Sequence, residues 1–213
     1  MKQIPLHIIA ALLLAPLAIA AGPAYQTIDE AIAKDDIADV KLHLAANPAS
    51  VKQGGKATSR PPLEQAVMRN KTAIALLLLE SGADPNTANA SKRTPLHLAI
   101  ERNNPEVLAA LLKKGAKPDA ADKAGWTPLH HAAAKNQLEN AKALLAAGAN
   151  PMALSELGGT PLHEAAASGG AELIRLLLEH KTDPSLKSKQ GVTALDLAKE
   201  YKNQPAIDAL TGR

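Results

Sequence analysis

Four stretches of the chain share one hydrophobic pattern. "AIALLLLE" (73–80), "EVLAALLK" (106–113), "ENAKALLA" (139–146) and "ELIRLLLE" (172–179) each carry apolar residues at i, i+3 and i+4 spacing. That spacing predicts a helix with one apolar stripe. Each begins 33 residues after the one before. Ahead of them, at the same step, stand "TPLHLA" from Thr94, "TPLHHA" from Thr127, "TPLHEA" from Thr160 and "TALDLA" from Thr193, with a degraded copy, "PPLEQA", from Pro61. A third landmark keeps the period: "SGADPN" with Gly82, "KGAKPD" with Gly115, "AGANPM" with Gly148, then "HKTDPS" with Lys181 in the glycine's place. Independent landmarks at one spacing define internal repeats.

Each unit has a physical reading. Thr94-Pro95, Thr127-Pro128 and Thr160-Pro161 predict helix starts, because the hydroxyl can cap free amides and Pro at the first helical position loses no hydrogen bond. The helix that follows is short and Ala-rich, so a neighbour can approach closely. The second helix ends where Gly148 and its equivalents supply a left-handed residue. Leu79, Leu112, Leu145 and Leu178 are expected to be pure core. One helix pair buries too little to stand alone, whereas stacked pairs share a continuous core. The predicted fold class is an all-α solenoid of about six helix-turn-helix units with short loop fingers and degenerate caps at both ends.

With these residues in place, the chain resembles the ankyrin-repeat family, whose hallmark is T-P-L-H-x-A followed by a Leu-rich helix and G-A-D. The resemblance covers residues 58–213 in register and, more loosely, residue 25 onward. "IDEAIAKDDIADVKLHLAANPASV" (28–51) matches a helix pair, but Ile28 to Leu63 is 35 residues, so its loop "KQGGKATS" holds two extra. The division read from the sequence is a signal peptide at 1–20, an N-terminal capping repeat at 21–57, four repeats at 58–189 and a C-terminal capping repeat at 190–213. In that last unit Asp208 and Thr211 stand at apolar helix positions, which wets the outer face as an array end requires.

Composition sharpens this in three places. The chain has no Phe and a single Trp, Trp126, so its core must be built from Leu, Ile, Val and Ala. There is no Cys, which excludes disulfides, thiolate metal sites and a Cys nucleophile. With 24 basic and 21 acidic residues the net charge is +3, no electrostatic case for nucleic acid. The segment "MKQIPLHIIAALLLAPLAIAAGPA" reads as a secretory signal, with an apolar run too short to span a bilayer and Ala18-Ile19-Ala20 as a small-x-small cleavage site. The expected location is the bacterial periplasm, or secretion beyond it, with no stable membrane insertion once the signal is removed.

Candidate chemistry centres on the histidines. His97, His130 and His163 occupy one equivalent position in successive repeats, and neighbouring helices lie ~10 Å apart, too far to share a zinc at ~2 Å. Glu64 and Asp196 hold the same position, which a general base would not tolerate. The resemblance implies that each His bonds its loop and the next repeat's backbone. No metalloprotease, P-loop or nucleophile-elbow motif occurs. No enzyme activity, metal or cofactor is expected.

The resemblance also implies a recognition groove formed by loop tips and the exposed side of each short helix. Its candidate contacts are Arg93, Trp126 and Leu157 on the tips, with Leu98, Arg102, His131, Lys135 and Glu164 on the helices. These positions vary between repeats while the frame does not. His131 reads as a solvated groove residue. Trp126 is either a contact or a side chain packed on its own loop. If it is a contact, Trp126→Ala is expected to spare thermal stability. The functional expectation is a monomeric, non-catalytic protein-binding module with a periplasmic or envelope partner; the alternative is an immunity or inhibitor protein that blocks a toxin or enzyme there.

Overall fold

Thr94, Thr127 and Thr160 hold extended backbone, and the proline after each opens a helix whose first turn needs no amide from it. A computed structural model of the chain describes residues 22–52 and 60–212. Among these residues it has twelve α-helices and no strand. They form six pairs: α1 (Ile28–Lys34) with α2 (Ile37–Ala46), α3 (Pro62–Met68) with α4 (Thr72–Glu80), α5 (Pro95–Glu101) with α6 (Pro105–Lys113), α7 (Pro128–Ala134) with α8 (Leu138–Ala146), α9 (Pro161–Ser168) with α10 (Ala171–Glu179), and α11 (Ala194–Glu200) with α12 (Gln204–Thr211). A short 3₁₀ turn, Pro48–Val51, follows α2. The segment read as a signal peptide lies outside the described residues, as does most of the loop with two extra residues.

The odd-numbered helices stack on one another, and the even-numbered helices form a second layer beside them. Backbone chirality sets the joints. Asn70, Asn103, Asn136 and Lys202 turn α3, α5, α7 and α11 into their second helices with φ between 49° and 55°, a region Asn enters at little cost. Asp35, at φ 63°, makes the same turn in the N-terminal pair. By contrast, α9 passes into α10 through Gly169 and Gly170 at negative φ. Second helices end at Gly82, Gly115 and Gly148, with φ between 84° and 90°, and at Lys181, with φ 59°.

The core follows the period. Ala66, Ala99, Ala132, Ala165 and Ala198 are fully buried in the short helices, so the helices meet through methyl groups. Leu78, Leu111, Leu144 and Leu177 are fully buried in the second layer. This corrects the expectation of uniform core one residue further on. Leu79 and Leu145 are buried, but Leu112 and Leu178 are only half-buried. A step of one residue turns a side chain by about 100°, which carries these two to the flank of the apolar stripe.

Between pairs, each loop projects as a finger, and adjacent fingers are joined by backbone hydrogen bonds. Lys123 N–H donates to Ser91 O (3.1 Å), Glu156 N–H to Ala124 O (2.9 Å) and Lys189 N–H to Leu157 O (2.9 Å). Gly125 sits at one of these crossings with φ 73°, and a Cβ there would stand 2.6 Å from the Glu156 amide nitrogen. Gly125→Ala should therefore lower stability by at least ~1 kcal/mol from conformation alone, seen as a lower melting temperature by circular dichroism. Lys92 occupies the equivalent turn at φ 57°, so Lys92→Ala should leave the melting temperature unchanged.

Candidate functional site

The repeated Thr-Pro-Leu-His motif is consumed in joining one repeat to the next. In α5 the Thr94 N–H donates to His97 Nδ1 (3.1 Å) and the Thr94 hydroxyl lies 2.9 Å from the same nitrogen. With Nδ1 accepting, Nε2 carries the proton, and it donates to the Trp126 carbonyl of the next finger (3.1 Å). Thr127 and His130 repeat this onto Gly159, and Thr160 and His163 repeat it onto Val192. The three rings form a ladder along the stack, each serving its own crossing. Where Glu64 stands instead, its carboxylate accepts from the Asn89 side chain (3.4 Å). Asp196 accepts from the N–H and hydroxyl of Thr193 in its own cap.

Burial in the stack pushes His97 and His130 down to about 4, against the usual 6.5, and hydrogen bonds to carbonyls offset only part of that. A proton added at Nδ1 would also face the Thr amide proton. Both rings are therefore neutral at physiological pH.

Trp126 is half-buried and anchored through its backbone and by two neighbouring rings. Its N–H donates to Asp122 Oδ1 (3.0 Å), and its carbonyl accepts from Asp122 N–H (2.9 Å) as well as from His97. Its ring stacks on His130 with centroids 6.1 Å apart and meets His131 edge-on at 5.0 Å. His131 is only half-buried, yet it is committed: Nε2 donates to Asp122 Oδ2 (3.0 Å). Burial raises the Asp122 carboxyl, but bonds from His131, Trp126 and Ala124 outweigh that and hold it below its ordinary value. The free, solvated histidine expected in the groove is instead part of the support for Trp126. The sparing of stability expected for Trp126→Ala is also revised, since removing this stacking should cost about 1 kcal/mol.

Two recesses open where fingers meet short helices. The larger, of about 660 Å³, is lined by Arg93, Leu98 and Arg102 together with Arg60, Glu64 and Glu101. Arg93 Nη2 pairs with Glu101 Oε2 at 3.0 Å. Leu98, expected on the exposed side of its helix, is only 4% exposed, in the wall of this recess with finger residues Ala88, Asn89 and Ala90. The smaller recess, of about 130 Å³, is lined by Trp126, Leu157 and Glu164 with Leu197, Val192 and Ser188. His131 and Lys135 line neither; Lys135 is exposed at the end of α7. Among the described residues no group of three or more His, Asp or Glu is placed to hold a metal ion, and no helix is long and apolar enough to cross a membrane.

Two features escaped the sequence reading. Asn89, Asp122, Ser155 and Ser188 fall on the 33-residue step, and each accepts from the backbone of its own finger. They are polar but not identical, so a search for matching letters passes over them. Met152 and Leu154 are 43% and 61% exposed on the finger that also carries Leu157, itself 65% exposed.

A uniform helical frame with variable side chains at its fingers is the architecture of a repeat scaffold for macromolecular recognition. The family model described as ankyrin repeats (3 copies) matches residues 63–155 and 149–212. The chain belongs to the ankyrin-repeat family, whose repeats are generally protein–protein interaction modules. Comparison with curated proteins returned no match.

Proposed function

We propose that this chain is an exported, non-catalytic module that grips a protein partner along the corner between its fingers and short helices. One observation carries the reading. The Thr and His side chains that keep the 33-residue period are spent on joining repeats, while six of the positions that break it, Arg93, Leu98, Arg102, Trp126, Leu157 and Glu164, line the two recesses. The titratable groups along that corner do not form a catalytic set: Glu101 is paired with Arg93, His131, outside both recesses, is paired with Asp122, and Glu164 stands alone in the smaller recess. The pinned Trp126 has the properties of a binding anchor, large, aromatic and ordered before contact. The N-terminal segment supports export, with the mature chain acting as a monomer in the periplasm.

The test is capture from periplasmic extract with wild type and Trp126→Ala, followed by affinity measurement on the recovered partner. The substitution should weaken binding by more than ~2 kcal/mol, well beyond its effect on melting. An unchanged affinity would reject the site. If the captured partner is a toxin or enzyme and is silenced by binding, the module acts as its inhibitor. N-terminal sequencing of the exported protein checks the cleavage after Ala20.

A further inference from the structure

Glu164 is the unpaired charge of the smaller recess. It has no ion pair or side-chain hydrogen bond among the described residues, whereas Glu101 in the other recess is neutralised by Arg93. Burial raises its carboxyl above the ordinary value, with no cation near enough to bring it back. Around it the recess is walled by Trp126, Leu157, Leu197 and Val192. A half-buried carboxylate without a partner is costly to keep. The equivalent positions in the other repeats hold Gln65, Leu98, His131 and Leu197, so the frame does not require an acid there.

The adjoining finger also departs from the repeat. Met152, Leu154 and Leu157 stand where the other fingers carry Asn86, Asp119 and Ser185, or Ala88, Ala121 and Lys187, or Ser91, Ala124 and Gln190. Three exposed apolar side chains on one finger mark a contact surface rather than a solvated loop tip. The recess, at about 130 Å³, is below the ~300 Å³ at which small-molecule pockets begin. It suits the end of one side chain.

Within the binding role proposed above, we infer that the recess between Trp126 and Glu164 receives a basic side chain of the partner protein, with apolar partner residues lying on the Met152–Leu157 finger. Arginine fits best, because a planar guanidinium can lie on an indole while its edge meets a carboxylate, which a point-charged ammonium does less well. The wall groups supply both halves of that recognition, and charge complementarity names the occupant.

The experiment selects binders to the full chain from a displayed random-peptide library, then measures chosen peptides with arginine or its neutral isostere citrulline against wild type and Glu164→Gln. Emission of Trp126, the chain's one tryptophan, reads the recess directly, and thermal melts confirm that both proteins are folded. The expected result is a shared arginine flanked by apolar residues. Citrulline should weaken binding to wild type at least tenfold and binding to Glu164→Gln far less. Peptides that bind without a basic residue, or an equal citrulline loss in both proteins, overturn this inference and leave the protein-binding role standing. Retention of no peptide counts against both. Concentration-dependent self-association of wild type that Glu164→Gln abolishes would assign the recess to a second copy of the chain and overturn the inference as well.

Discussion

Lowering the pH from 7 to 4.5 should remove several kcal/mol of stability from this protein. His97 and His130 titrate near 6.5 when unfolded and at about 4 in the stack. Between those values the unfolded chain binds more protons, so stability rises with pH. The full contribution is present above pH 6.5, declines as pH falls through the window, and is lost below about 4. A shift of that size corresponds to about 3 kcal/mol for each ring, which for two rings approaches the whole stability of an ordinary domain. Nearby charges do not reverse the sign: Asp122 favours protonation of His97, Arg93 and a charged His131 oppose it, and burial exceeds them all. Urea unfolding across the window should show proton uptake, about two protons of it from these two rings. Imidazole nitrogen spectra of the folded protein should keep the Nε2–H form of both rings down to pH 5. Ring signals that titrate near 6.5 without unfolding would refute the account.

Leu144→Ala should destabilise the protein by about 3 kcal/mol, through lost transfer energy and the cavity left between packed helices. Leu144 is fully buried in α8, between α6 and α10, where neither neighbour can close the gap without breaking its own packing. Leu178→Ala, one repeat on and one position later, should cost clearly less, because that side chain is half-buried already. Denaturant melts of the two variants give the comparison. Equal losses would mean that the second-layer core is organised differently from the burial described.

The acid sensitivity and the binding surface share a source. His97 holds the carbonyl of Trp126, so the bond that joins two repeats also orders the anchor of the smaller recess. That ring stays neutral in the folded chain until the pH nears 4, so the affinity of the folded protein for its partner should hold between pH 6.5 and 5 even as stability falls.

Much of this was legible in the residues themselves. Thr127, Pro128, His130, Ala132 and Gly148 recur because each meets a local requirement of cap, first turn, crossing, close approach or left-handed end. Local requirements repeat with the chain, so the period, the helix pairs and the structural role of the histidines could be read along it. What a side chain meets across the stack could not. His131 is one residue from His130 and looks free in the sequence; Asp122, nine residues earlier, claims it only when the finger folds back. Leu98 sits on the variable side of its helix, yet it is buried in the wall of the larger recess. Glu164 resembles any surface acid until the recess around it is seen to contain no cation. Repetition in sequence determined the frame, because neighbouring units impose the same constraint on each copy. Burial, pairing and the two recesses were decided by tertiary structure, because they depend on which unlike side chains meet from different repeats.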